Sequence, residues 1–274
     1  MTLPSQVGVY GGGRMGAGIA HAFAVSGSDV VVIESGQGAA DAARQRLAES
    51  LAKAAARGIE ASGSVRVTVD TSELRGVGLV VEAVPELPEV KAEVLAAIER
   101  VAPDADIASN TSSLSIDGLA AGLANPGRFV GLHFFNPVPA SELVEIVVGG
   151  ATDPTLVERA QVWVAALGKT AITVGDSPGF ASSRLGVAIA LEAIRMLEAG
   201  VASAEDIDTA MTLGYRHPVG PLRTTDRVGL DVRLAIAEHL ERELGPRFAP
   251  PQLLRDKVAS GMLGRKTGEG FYRW

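Results

Sequence analysis

Three groups of residues in this chain have types and spacings that could do chemistry. His133, in Leu132-His133-Phe134-Phe135-Asn136-Pro137, is an imidazole between apolar neighbours at the end of a strand-like run. Glu145, in Leu143-Val144-Glu145-Ile146-Val147, is one carboxylate inside a β-branched apolar run and needs a partner if buried. His133 is the nearest sensible partner, across adjacent strands. Such a pair would orient the imidazole and stabilise its protonated form, as a general base requires. A lone histidine in this setting is more often a satisfied structural residue. The third group, Ser109-Asn110-Thr111-Ser112-Ser113, follows an apolar run directly. Small polar residues there are either a surface turn or, if buried, a hydrogen-bonded constellation.

A phosphate cradle stands near the start. Gly11-Gly12-Gly13-Arg14-Met15-Gly16 fits G-x-G-x-x-G between a strand and a helix, the context such a loop needs. Gly11 permits the tight turn, Gly13 lets backbone N–H groups approach a pyrophosphate, and Gly16 lets helix and strand pack closely. Glu34 ends the next strand, 18 residues after Gly16, where a carboxylate binds ribose hydroxyls. After Glu34 come Ser35 and Gly36, and no arginine appears until Arg44, so a 2′-phosphate would meet repulsion with no local cation, which favours NAD over NADP.

The elements that must position these groups follow from hydrophobic period. Strands are expected at residues 6–11, 29–34, 65–69, 79–84, near 107, at 129–132, 143–148 and 171–174. Helices are expected at 14–26, 39–57, 88–101 and 154–167. This interleaving predicts an α/β fold, a Rossmann-type, doubly wound, mostly parallel sheet with helices on both faces. After Asp176-Ser177-Pro178-Gly179 only helical spacing remains, over 180–199, 204–213, 226–244 and 250–260. Ser203 is a candidate N-cap, with Asp206 at capping-box distance. The expected domains are 1–177, dinucleotide-binding, and 178–274, all-helical.

Composition narrows the function classes. The 274 residues are 47% hydrophobic and 21% charged, enough for a sizeable core and unlike a disordered chain. The net charge of −7 disfavours nucleic-acid binding, though a local basic patch could hold a small phosphorylated ligand. The absence of cysteine excludes disulfides, thiol catalysis and Cys-ligated metals. No apolar stretch reaches membrane-spanning length, and the first residues lack signal-peptide character, so a cytoplasmic protein is expected.

Together the segments resemble the L-3-hydroxyacyl-CoA dehydrogenase family, including its short bacterial 3-hydroxybutyryl-CoA members. GGGRMGAGIA, VVEAVPE, ASNTSSLSI, GRFVGLHFFNPVP, DSPGF, EDIDTAM, HPVGP, DRVGLD and GRKTGEGFY occur in that order, almost end to end. The resemblance implies a Rossmann-type NAD domain and a helical domain that contributes to substrate binding and dimerises. It implies His133 as catalytic base, Glu145 as its paired acid, and Ser112 as the hydroxyl on the reacting oxygen. Arg14 and Met15 lie in the cofactor loop. Glu86, Lys91, Asn110 and Asn136 match residues near the nicotinamide half of NAD. Lys53 and Arg57 match a basic pair that contacts the nucleotide end of coenzyme A. No metal is required, since His133 and Ser112 can polarise the carbonyl.

One position departs from the family pattern. Ser183 stands where relatives carry Asn before Arg-Leu, and Ser has one rotatable donor in place of two amide donors. Ser183 is therefore carried over as a catalytic and substrate-binding candidate whose replacement puts substrate identity in question. Arg223-Thr224-Thr225 is also more polar than in relatives. The implied reaction is hydride transfer between a short-chain 3-hydroxyacyl-CoA and NAD, in a homodimer. The alternatives are a hydroxyacyl group on an acyl-carrier protein, a polar hydroxy acid such as gulonate, and a non-enzymatic crystallin-like protein.

Overall fold

A computed structural model of the chain describes residues 2–274. It divides into two compact units, Met1–Ser177 and Pro178–Trp274. The first holds strands β1 (Gln6–Tyr10), β2 (Asp29–Ile33), β3 (Val65–Thr68), β4 (Leu79–Glu82), β5 (Asp106–Ser109), β6 (Phe129–Phe134), β7 (Leu143–Val148) and β8 (Thr170–Gly175). Its helices are α1 (Arg14–Val25), α2 (Gln37–Ala55), α3 (Pro88–Val101), α4 (Ile116–Ala120) and α5 (Pro154–Ala166). The second holds α6 (Ser182–Glu198), α7 (Ala204–Thr209), α8 (Pro221–Val228), α9 (Leu230–Leu244) and α10 (Gln252–Ala259).

The strands form one eight-stranded sheet in the order β3-β2-β1-β4-β5-β6-β7-β8. Every neighbouring pair is parallel except β6 and β7. The central strands read as near-continuous Val/Ile runs because helices bury both faces. Strand order reverses between β1 and β4, so their carboxyl ends open the crevice where doubly wound sheets bind ligands. The core packs Val7, Val9, Val32 and Val81 against Ile19 and Phe23 of α1.

In the second unit, two buried carboxylates tie distant segments together. Asp208 (7% exposed) accepts hydrogen bonds from the backbone N–H of Leu222 and Arg223 and from the Tyr272 hydroxyl. Asp226 (1% exposed) accepts from the N–H groups of Phe271 and Tyr272 and from the Trp274 indole. The motifs EDIDTAM, DRVGLD and GEGFY are therefore parts of one network.

Several element boundaries differ from the sequence expectation. The expected helix 226–244 is two helices: Gly229, at φ +106, ends α8 and opens α9. Only glycine adopts that conformation cheaply. The helix expected from residue 180 starts at Ser182, because Gly179 and Phe180 both have positive φ. The strand expected to end at residue 132 continues through His133 to Phe134. Short α4 is absent from the helices expected from sequence; Ser115 caps it, accepting from the Gly118 N–H. Ser203 does cap α7, accepting from the Asp206 N–H while its hydroxyl donates to the Asp206 carboxylate. Among the described residues no helix is long and apolar enough to cross a membrane.

Arg233 is anomalous. It lies on the inward stripe of α9 with Leu230, Ala237 and Leu240, is 8% exposed, and packs its guanidinium against Gly186 of α6. Its Nε has no hydrogen-bond partner, and burial alone pushes its pKa down. A buried unsatisfied donor costs about 1–3 kcal/mol. Arg233→Met, which keeps the stem and removes the guanidinium, is expected to raise the thermal unfolding midpoint. An unchanged or lower midpoint would show that the guanidinium is stabilised after all.

Candidate active site

The site is built at the carboxyl edge of the first unit's sheet. Because β7 runs antiparallel to β6, Glu145 lies directly opposite His133 in the ladder. Directly opposed residues share a face of the sheet. The Glu145 carboxylate, with no exposure, stands 2.7 Å from Nδ1 of His133, itself 7% exposed. A proton on Nδ1, shared with the carboxylate, makes Nε2 the basic nitrogen. The Phe135 ring, 4.5 Å away between centroids, tilts against the imidazole and restricts its rotation.

A second polar group joins the ends of β4 and β5 to α3. Glu82, fully buried at the end of β4, accepts from the Val84 N–H, the Lys91 ammonium (2.7 Å each) and the Ser109 hydroxyl (2.6 Å). Lys91, 1% exposed, also reaches Glu86 at 3.3 Å. One oxygen of Glu86 gathers the Thr111 hydroxyl (2.6 Å) and the N–H groups of Ser112 (2.8 Å) and Ser113 (3.0 Å). Burial pushes the Glu86 pKa up, but the Thr111 hydrogen bond, the Lys91 charge and the Ser112 N–H outweigh it and hold it below the ordinary carboxylate range. Asn110 accepts from the Phe134 N–H at 2.9 Å and so links this group to the strand carrying His133.

The glycine loop has the geometry its spacing requires. Gly11 adopts φ +95 and donates its N–H to the Ile33 carbonyl. A Cβ at Gly16 would fall 1.7 Å from the Gly11 carbonyl oxygen, whereas the space over Gly13 is open. Gly13 caps α1, and Arg14 and Met15 are its first helical residues, where N–H groups lack intrahelical acceptors. Glu34 closes the far side, accepting from the Gly12 N–H at 2.7 Å. Arg44 is engaged by Asp41 and the Val67 carbonyl rather than turned toward Glu34. The loop fits a dinucleotide pyrophosphate, with a carboxylate in place for ribose hydroxyls.

Lys53 and Arg57 lie in or just after the last turn of α2. With Arg14, Arg46, Lys169 and a single carboxylate, Glu49, they line a cleft of about 720 Å³ that also includes Asn136. The cleft is basic in a chain of net charge −7. Ser183 stands in the first turn of α6, in the second unit. The polar stretch before Asp226 is used locally: Thr225 donates to the Pro221 carbonyl, and Arg223 lies 4.0 Å over the Tyr272 ring.

The polar segment containing Ser109 and Thr111 is visible in the sequence, but sequence reasoning missed Glu82 as its partner, and His21, Ser50 and Lys169 in the cleft. Glu82 carries the same signal as Glu145, a carboxylate in a β-branched strand. His21 gives no such signal, because its partner Ser50, 2.9 Å away, is on another helix. Lys169 donates to the carbonyls of Val138 and Ser141 and ties down the segment after Asn136.

A doubly wound sheet with this loop, an acidic residue after β2 and a buried His–Glu pair defines a dinucleotide-dependent oxidoreductase of the Rossmann type. Residues 6–177 match the NAD binding domain of 3-hydroxyacyl-CoA dehydrogenase, and residues 179–274 match its C-terminal domain. The chain belongs to the 3-hydroxyacyl-CoA dehydrogenase family. It is 42% identical to a 3-hydroxybutyryl-CoA dehydrogenase of Mycobacterium tuberculosis over 98% of both chains. It is 40% identical to the human mitochondrial hydroxyacyl-coenzyme A dehydrogenase, covering 99% of this chain and 92% of that one. The solved structure of an (S)-3-hydroxybutyryl-CoA dehydrogenase from Ralstonia eutropha superposes with a TM-score of 0.92, at 38% identity over 99% of each chain.

The depressed Glu86 pKa has a consequence for stability. Its contribution is complete above the ordinary carboxylate value of 4.5 and is lost as pH falls through the lower folded value. Glu86→Gln should therefore unfold at a lower temperature than the unaltered protein at neutral pH, with the gap closing in acid. A gap that stays constant across the titration would show that the Glu86 charge is not what stabilises the loop.

Proposed function

We propose that the chain is a cytoplasmic, homodimeric, NAD-dependent dehydrogenase that interconverts short-chain 3-hydroxyacyl-CoA and 3-ketoacyl-CoA. The observation that carries this reading is the buried His133–Glu145 pair on the same sheet edge as the glycine loop. We read the first unit as the NAD domain and the second as the substrate and dimerisation domain. Gly11, Gly13, Arg14, Met15, Gly16 and Glu34 hold the pyrophosphate and ribose end. Glu86, Asn110 and Asn136 form the nicotinamide wall, and Lys91 acts through Glu86.

Bound NAD supplies the acceptor for the hydride that leaves C3. Neutral His133 takes the hydroxyl proton at Nε2, and Glu145 holds the ring and offsets the charge that forms. The Ser112 hydroxyl donates to the developing carbonyl oxygen, and Ser183 keeps the substrate-donor role the resemblance gives it. In reduction His133 returns the proton. A positioned acid–base of this kind is typically worth ~10²–10⁴-fold.

The basic cleft supports coenzyme A over a free hydroxy acid such as gulonate. Five Lys or Arg side chains against one carboxylate suit the phosphates of a nucleotide tail. The assay is NADH oxidation with acetoacetyl-CoA beside its pantetheine-truncated analogue. Fast turnover of the full thioester and slow turnover of the analogue are expected. Lys53→Ala and Arg57→Ala should raise KM for the thioester alone. His133→Ala should lose ~10²–10⁴-fold in kcat while still binding NADH, and Ser112→Ala and Ser183→Ala should lose less. Full turnover by His133→Ala would end this mechanism. Negligible turnover of both thioesters by a protein that binds NADH would point to a carrier-protein substrate.

The dimer is supported by exposed apolar residues on the second unit. Leu185 (63% exposed) and Ile189 (38% exposed) stand one turn apart on α6. Exposed apolar patches commonly mark association sites. Sedimentation is expected to give a dimer that Leu185→Asp dissociates; a monomer before substitution would refute the assignment.

A further inference from the structure

The Glu82–Lys91–Glu86 group carries an unbalanced charge. Two carboxylates share one ammonium, which lies 2.7 Å from Glu82 and 3.3 Å from Glu86. Glu82 meets only donors: the Val84 N–H, Lys91 and the Ser109 hydroxyl. That is the pattern of an ionised carboxylate. Glu86 is likewise surrounded by the hydroxyl and N–H donors of residues 111–113. With both carboxylates ionised and Lys91 protonated, the group has net charge −1. Glu82 and Lys91, 0% and 1% exposed, offset each other at the shorter distance, so the excess negative charge falls on Glu86, whose side chain is 34% exposed.

The group is also rigidly placed. Glu82 ends β4, Ser109 ends β5, and Lys91 is in the first turns of α3. The Asn110 N–H donates to the Glu82 carbonyl, so the same residue that holds Lys91 fixes the backbone of the Asn110 loop. Resting on the functional reading above, which puts Glu86 and Asn110 beside the nicotinamide, this charge faces a ring that is cationic when oxidised and neutral when reduced.

We propose that the net negative charge of Glu82, Lys91 and Glu86 sets the relative affinity of the site for the two oxidation states of the nicotinamide, favouring the cationic ring. By linkage, tighter binding of the oxidised form shifts the equilibrium on the enzyme toward hydroxyacyl product and makes bound NADH a stronger reductant. Glu82 is thus a positioning and electrostatic residue that acts through Lys91, Ser109 and its own charge.

The test measures the dissociation constants of NAD⁺ and NADH separately, by calorimetry and NADH fluorescence, with no acyl substrate present. Glu82→Gln keeps the side-chain shape and neutralises the group. The ratio Kd(NAD⁺)/Kd(NADH) is expected to rise on the order of tenfold, as for one charge acting at an effective dielectric constant near 20. Glu86→Gln, on a partly exposed residue, removes the same charge from the other carboxylate and should move the ratio in the same direction. It also serves if Glu82→Gln fails to fold. A purely structural role would weaken both forms equally; an unchanged or lowered ratio in the folded variants overturns the proposal. Failure of the unaltered protein to bind either dinucleotide would overturn the functional reading along with it.

Discussion

A carboxylate with no exposure to water must be paired or neutralised, because desolvating an isolated charge costs several kcal/mol or more. The first unit places two such carboxylates, Glu82 and Glu145, near the carboxyl edge of its sheet. Their partners come from different elements: His133 from the neighbouring strand, Lys91 from a helix, Ser109 from a third strand. Satisfying them holds β4, β5, β6, β7 and α3 in one arrangement. The Ser109–Ser113 segment is shaped by the same requirement, since its donors converge on Glu82 and Glu86.

The reversed direction of β7 is the device that makes the His133–Glu145 pair. In an antiparallel ladder, residues in register stand directly opposite each other with side chains on one face. A parallel β7 in level register would put its third residue opposite Gly131, two residues short of His133. The single antiparallel junction in the sheet therefore lies where the proposed acid–base pair is needed. Asn110 adds a further tie, holding the Phe134 N–H beside His133. The helical unit uses the same physics differently: Asp208 and Asp226 are satisfied by backbone N–H groups and aromatic donors, and so join segments far apart in sequence.

Much of this was legible in the residues. The alternation of β-branched strands with helical spacing predicts the doubly wound sheet because both faces of its central strands are buried. The glycine loop and Glu34 are readable because only glycine tolerates the contacts at positions 11 and 16. Glu145 announces a buried charge, and His133 is its natural partner. Glu82 carries the same signal, but its partners, Lys91 and Ser109, are 9 and 27 residues away, with nothing local to pair them. Helix limits at 180 and 229 depend on positive φ values that spacing does not reveal.

The sequence by itself determined the α/β class, the dinucleotide loop and the presence of polar residues that could not be buried alone. These are local properties: period, glycine placement, and the type of residue at each position. Only the tertiary structure decided which donors meet which carboxylates. It brought Lys91 between Glu82 and Glu86, turned β7 so that Glu145 faces His133, and gathered basic residues of α1, α2 and the Lys169 turn around one cleft. Pairing of this kind depends on strand direction and on contacts across tens of residues, which the order of residue types does not encode at any one position.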